Sequence, residues 1–386
     1  MDTAPARTAA VVGAGIGGLA AAIALRRAGI DATVFEQAER LEPLGAGLVV
    51  WPNGVAALRR LGFQDGWELP YPSADNGGIR SWRGKVLVRT DSQELVRRLG
   101  GPSVVVHRAD LQQALLEALG AEHLRLGKRL SGVEQGSQGV EALFADGSRM
   151  AADVLVGADG IHSMVRRLLL DDGQPRYAGY TAWRAVTEWA GGQLPAGESW
   201  GAGTLFGMLP LADGRVYWFA TKRAPAGETD SPAQRRDEIL QRFSRWHEPI
   251  PALVETTEPG AILRHDVVDR RPRGGWSRGR VTLLGDAAHP MTPHLGQGAC
   301  QSLEDAVVLG DLLGASASPY AALERYARVR ARRTAPIVMA SRRIGWLAQL
   351  RNPLARALRD AVIAHIPARV QLRQLEAVAA ARRPPV

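Results

Sequence analysis

Residues 9–25, AAVVGAGIGGLAAAIAL, are apolar or glycine without a single charge. A membrane span needs about 20 residues with few breaks. A secretory signal needs basic residues before its apolar run and a small-residue cleavage site after it. The stretch has neither pattern. Its glycines at 13, 15, 17 and 18 predict a strand from Thr8 to Val12, a tight turn, and a helix from Gly15 to Ala28 that Gly29 stops. DATVFEQ then gives a second strand, Asp31 to Phe35, completing a βαβ unit. Continuous apolar runs return at 153–160 (DVLVGADG) and 280–289 (RVTLLGDAAH), each reading as a buried parallel strand that enters a loop. Residues 71–98 and 176–265 have another texture, with period-two alternation, tryptophans and turn signals. GMLPLADGRVYWFAT, for example, predicts a hairpin around Asp213-Gly214. From Gln297 onward the pattern is helical, with Pro367 breaking the last stretch, Leu354 to Arg383.

The two textures interleave. The expected fold is α/β, a Rossmann-like nucleotide-binding domain built from 1–70, 99–175 and 266–335. A mostly antiparallel β-sheet substrate domain is expected from 71–98 and 176–265, and a C-terminal helical segment from 336–386. A chain of 386 residues supports a large core without staples, and a single cysteine, Cys300, excludes an intrachain disulfide framework. The cytoplasm is the default compartment, and the assembly is expected to be a monomer or homodimer. A net charge of +9 raises the possibility of nucleic acid. The only lysines are Lys85, Lys128 and Lys222, however, and the arginines are scattered in pairs such as Arg59-Arg60 and Arg332-Arg333. That reads as a solvated surface and not as a polyanion site.

Gly13, Gly15 and Gly18 form G-x-G-x-x-G at the strand-to-helix turn, where missing Cβ atoms let a pyrophosphate approach a helix N-terminus. Glu36 ends the second strand, placed to accept from a ribose 2′-hydroxyl and to repel a 2′-phosphate. The nucleotide is therefore FAD or NAD and not a resident NADP.

VLVGADGIHSMVRR and LLGDAAHPMTPHLGQGACQSLEDA, together with the glycine motif, resemble the three signatures of class A flavin-dependent monooxygenases, the para-hydroxybenzoate hydroxylase-like family. PLGAGLVVWPNGVAALRRLG, VVHRADLQQALL and YAGYTAWRAV extend the resemblance over nearly the whole chain. The resemblance implies FAD as cofactor and NAD(P)H as a transient co-substrate that needs no second glycine motif. Asp286, after Gly285, is implied to accept from the ribityl chain. The backbone N–H groups of Gly296, Gln297, Gly298 and Ala299 are implied to face the N1–C2=O side of the isoalloxazine, where a helix dipole favours the reduced anion. Arg108 is implied at the FAD phosphates, Gly47 at a close approach in the early loop, and Val133 at the adenine. Asp159 is implied to link FAD and nicotinamide binding, with Arg166 either assisting or lying on the helix surface. His289 is expected to hold its loop.

On the substrate side, Arg184 and Tyr217 fall on strands implied to roof the flavin, with packing as the alternative for each. His294, between Pro293 and the glycine turn, is read as a general base for a phenol or enol, titrating near neutrality, or else as loop lining. Tryptophans 82, 183, 189, 200 and 218 either stack on a planar substrate or fill the sheet interface. No metal motif is present. The implied activity is hydroxylation of an electron-rich aromatic or enolic small molecule by NAD(P)H and dioxygen through a flavin C4a-hydroperoxide. Epoxidation, Baeyer–Villiger-type oxygen insertion, an FAD-dependent reductase, and a nucleotide-binding regulator without turnover are the alternatives.

Overall fold

The computed structural model describes residues 5–42, 46–64, 77–89, 91–137, 139–192, 194, 196–211 and 213–381. Residues 43–45 of the quoted early loop, 71–76 of the expected substrate segment and the chain beyond 381 lie outside them.

Strands Thr8–Val12 and Asp31–Phe35 form at the expected residues, and the intervening helix is Ile16–Arg27. Thr8–Val12 pairs in parallel with Asp31–Phe35 on one side and with Val154–Gly157 on the other, and Val154–Gly157 pairs in parallel with Val281–Leu283. These strands belong to a six-stranded sheet, completed by Ser277–Arg278 at one edge and Leu124–Arg125 at the other. Every residue of Val154–Gly157 and Val281–Leu283 is buried, as expected for strands covered on both faces.

A seven-stranded sheet runs in the order Leu263–Asp269, Arg176–Glu188, Arg215–Lys222, Thr204–Pro210, Gly197–Trp200, Gly78–Ser81, Val86–Arg89. The hairpin turns at Asp213-Gly214, where Gly214 has a φ of 88°. Side chains alternate between its faces. Trp183, Phe206 and Trp218 point one way, into a cluster with Phe243 and Leu253 of the helices Pro232–Phe243 and Ile250–Glu255. Arg184, Tyr217 and Phe219 point the other way, where Tyr217 packs with Ala46 and Val105. A two-stranded sheet, Gly47–Val50 with Val104–His107, stands there.

The helices Gly298–Gly314 and Pro319–Ala348 follow, then Pro353–His365 and Ala368–Ala379 on either side of the Pro367 break. Pro319–Ala348 runs without interruption across the 335/336 position. Gly298–Gly314 lies tightly on the first helix, since a Cβ on Gly310 would come within 2.9 Å of Ala24 and one on Gly314 within 2.9 Å of Ala28.

Between the two long C-terminal helices lies a buried ionic network. Arg330 donates to Asp305 Oδ1 (2.5 Å), Glu304 Oε2 (2.7 Å) and Gln301 Oε1 (2.7 Å). Burial alone would raise both carboxyls. The charges of His289 and Arg330 on Asp305, and of Arg330 and Arg333 on Glu304, outweigh it and hold both below their ordinary values. Arg330→Met would remove the buried charge that the two carboxylates share, leaving only His289 and Arg333 beside them. A loss of about 3–5 kcal/mol is expected, read as a lower midpoint in urea unfolding.

Candidate active site

The first helix opens at Gly15 with no side-chain cap and no acid in its first turn, so its leading N–H groups face outward without a protein partner. Gly13, at a φ of 105°, lies against Ala158, and a Cβ on Gly18 would collide with the Gly13 carbonyl. A Cβ on Gly15 would meet nothing within 4 Å, because that side is open. The opening is a cleft of about 500 Å³ lined by Ala14, Gly15, Glu36, Leu41, Arg108 and Gln112. Glu36 accepts from Ala14 N–H (2.8 Å) and Ala38 N–H (3.0 Å), which fixes its carboxylate at the rim. Arg108 opens the helix Arg108–Leu119, and Gln112, one turn on, donates to Ala14 O at 2.7 Å. Only that one-turn spacing marked Gln112 in the sequence. Val133 lies half-buried on Leu130–Gln135, paired with Ala142, and is not among the residues lining this cleft.

Asp159 lies against the Gly13 turn, but its carboxylate accepts from Ser163 Oγ (2.5 Å), Met164 N–H (2.7 Å) and Val165 N–H (3.2 Å). It closes the start of the helix Met164–Leu170. Arg166 is neither a surface group nor accessible to a nicotinamide. It is 1% exposed, pairs with Asp172, and donates to the carbonyls of Ala287 and Ala288 at 2.8 Å each. Its work is to hold the loop after Asp286.

That loop has two anchors. Gly285, at a φ of 62°, donates its N–H to Asp305 Oδ2 (2.9 Å), which also meets His289 Nε2 at 2.6 Å, in keeping with the loop-holding role expected of His289. Asp286 is thereby presented outward, with no hydrogen-bond partner among the described residues. It is exposed, yet enough protein surrounds it to push its carboxyl up, against the charges of His289, Arg108 and Arg184. A group that is accessible and also ringed by protein lies in a recess of the surface. Gly298 begins its helix with its Cβ position 4.0 Å from Asp286 Oδ1, again with no side-chain cap and no acid in the first turn. Gly296, in the left-handed region at a φ of 59°, turns the chain into that helix, and a Cβ there would stand 2.9 Å from Trp51 Nε1. Gln297 is buried, its side chain bonded to Asn53 and Gln301, and Ala299 packs half-buried on the core.

The seven-stranded sheet stands across from this loop, with Arg184 within electrostatic reach of Asp286 and His294. Gly47 makes a close approach, but to a side chain, since a Cβ there would run into the Tyr217 ring. Arg184 is half-buried and has neither a hydrogen bond nor an ion pair among the described residues. Its charge reaches Tyr180, Tyr217, His265, Asp286 and His294. His294 Nε2 lies 2.7 Å from Tyr180 Oη, and a Cβ on Gly345 would meet the imidazole at 2.6 Å. Burial, reinforced by Arg184, pushes His294 down to about 4. A base titrating near neutrality is therefore not what the fold builds: enclosure disfavours the imidazolium, and the cation beside it adds to the penalty. Burial raises the phenols of Tyr180 and Tyr217, so both stay protonated. Of the tryptophans, 183 and 218 lie on the far face and 82 and 189 pack against that cluster, as interface filling. Trp200 is on the near face but only 3% exposed.

Residues 6–341 match the family model described as an FAD binding domain. The aurachin C monooxygenase/isomerase of Stigmatella aurantiaca is 43% identical over 355 residues, 92% of each chain. The FAD-dependent urate hydroxylase of Klebsiella pneumoniae is 36% identical over 341 residues, 87% of this chain and 88% of that one. The crystal structure of Klebsiella pneumoniae HpxO with FAD and uric acid superposes with a TM-score of 0.90 at 31% identity over 96% of each chain. The chain belongs to the class A flavin-dependent monooxygenases. In this flavoprotein the resident cofactor is FAD. The residues present fit that dinucleotide: an uncapped helix start over an open glycine, a fixed carboxylate at the rim, and a second uncapped helix start beside an unpartnered Asp286.

Two outcomes are expected. Glu36→Ala and Asp286→Ala should each weaken FAD binding about 10- to 100-fold, the worth of a hydrogen bond to a charged group, measured by flavin release on dilution. Because the folded-state value of His294 is depressed, the unfolded chain binds the extra proton first. This histidine should therefore cost stability progressively as pH falls from 6.5 toward about 4, and His294→Gln should flatten that slope in pH-dependent unfolding.

Proposed function

We propose that this monooxygenase uses NAD(P)H and dioxygen to place one oxygen atom on an electron-rich, planar aromatic or enolic small molecule held between the second sheet and the loop 285–298. The observation that carries this reading is Arg184, a cation on the sheet face with no partner among the described residues, within electrostatic reach of Asp286, His294 and Tyr217. FAD, when bound, supplies the chemistry, carrying electrons from NAD(P)H to dioxygen and one oxygen atom to the substrate.

The protein's own groups do the rest. Backbone N–H groups at the start of Gly298–Gly314 would bring the positive end of a helix dipole to the cofactor, and Asp286 would accept a hydrogen bond from it. Arg184 stabilises the phenolate or enolate form of the substrate, so the ring is electron-rich when oxygen is delivered. Tyr217, kept protonated by burial, presents an O–H to the same space. His294 stays neutral across the physiological range and orients the substrate through Nδ1 while Nε2 is engaged with Tyr180. The packing of Gly47 on Tyr217 keeps bulk water from that side.

The low basicity of His294 favours one second reading, epoxidation of an electron-rich double bond, which needs no deprotonation before oxygen transfer. Labelled dioxygen separates the two by the product's structure. A reductase would incorporate no label at all, and that result overturns the proposal.

Arg184→Ala should retain FAD but divert reducing equivalents to hydrogen peroxide, with product per NAD(P)H consumed falling about 10- to 100-fold. That ratio should recover in part as pH rises, because solvent then supplies the anion. For wild type, the coupling ratio should show no ionisation attributable to His294 between pH 6 and 8.

A further inference from the structure

The near face of the seven-stranded sheet carries a half-buried carboxylate, Glu198, that the mechanism above leaves unused. Glu198 lies opposite Gly207, Gly207 opposite Phe219, and Phe219 opposite Arg184. Residues opposite one another in antiparallel register project to the same face, so these four form a row across the roof of the site. Glu198 and Arg184 stand three strands apart, about 14 Å between backbones at the usual strand spacing. Gly207 has no side chain in that row, and the half-buried Phe219 ring leans over it, into the place a Cβ would take. The result is an aromatic floor with a carboxylate at one end and a guanidinium at the other.

Glu198 is half-buried, and its surroundings raise its carboxyl. Oε2 accepts from the Trp200 indole N–H at 2.7 Å, which fixes the side chain. Oε1 has no partner among the described residues and is not among their sealed, unpaired polar atoms, so it opens on free space. The charge of Glu198 also reaches Tyr217, which Arg184 reaches from the other side. A carboxylate retained in such a place costs stability unless something bound there donates to it.

We propose that Glu198 binds and orients the substrate, accepting from a ring N–H of a flat, fused heteroaromatic lactam or vinylogous amide that lies on Phe219 and turns its carbonyl oxygen to Arg184. This rests on the monooxygenase reading and specifies the class of molecule that site takes. An N–H conjugated to the carbonyl makes the ring electron-rich, and the pair of end groups sets which ring carbon meets the cofactor.

The test is a binding titration on FAD-loaded protein, followed by perturbation of the flavin absorbance, so that it does not depend on turnover. The probes are 2-methyl-4(1H)-quinolone and its N-methyl derivative. Wild type should bind the N–H probe about 10- to 100-fold more tightly than the N-methyl probe. Glu198→Ala should abolish that preference by weakening the N–H probe alone, and Glu198→Gln, which keeps an acceptor and can keep the Trp200 contact, should restore most of it. Trp200→Phe separates a positioning role from a binding one, and should leave the preference largely in place. The proposal is overturned if both probes weaken equally in Glu198→Ala, if wild type shows no preference, or if it binds neither probe. Failure of the monooxygenase reading would show elsewhere, as labelled oxygen missing from product, with this titration unaffected.

Discussion

The site hangs on the carboxylate of Asp305. One of its oxygens takes the Gly285 N–H and meets His289, and the other takes Arg330, itself completely buried. The loop that ends the strand Val281–Leu283 is thus bonded to the helix Gly298–Gly314, which in turn is bonded to Pro319–Ala348. Arg166 grips the same loop from the opposite side through the carbonyls of Ala287 and Ala288. Buried charge is costly, and its retention here has a geometric consequence. Asp286 and the start of the following helix are presented together, because two independent sets of ionic contacts leave the loop between them no freedom.

Around that fixed loop, the structure leaves polar groups without protein partners where they are still accessible. Asp286, Arg184 and Oε1 of Glu198 have no partner among the described residues, and the charge of Arg184 reaches both Asp286 and Tyr217. Elsewhere the same residue types are satisfied: Asp159 by a helix start, Arg166 by Asp172, Asp269 by Arg176 and Arg342. The contrast separates groups spent on the fold from groups left open to a ligand. It also explains why His294 is a poor base. Burial and the charge of Arg184 keep the imidazole neutral, so the activation of substrate proposed above rests on the cation.

Much of this was legible along the chain. The glycine turn, the two parallel strands and their exit loops, the hairpin at Asp213-Gly214 and the Pro367 break are local patterns, and local sterics and hydrophobic periodicity produce them whatever lies around. The same holds for the cofactor class, because its binding depends on backbone N–H groups at helix starts and on carboxylates at strand ends. Glu198, Gln112 and Tyr180 carried no comparable signal. A glutamate beside tryptophans in an alternating stretch is ambiguous until the register decides which face it occupies.

The sequence by itself therefore determined the α/β class, the glycine turn of Gly13, Gly15 and Gly18 with Glu36 at its rim, and the loop of Gly285 and Asp286, since each is written within a few consecutive residues. Tertiary structure alone decided which polar side chains are spent and which are free. Asp159 and Arg166 look functional in sequence and are consumed by a helix start and a loop. His294 loses its basicity to burial and to an arginine 110 positions earlier in the chain. Hydrogen-bond satisfaction and desolvation depend on neighbours brought from distant segments, and no local pattern encodes them.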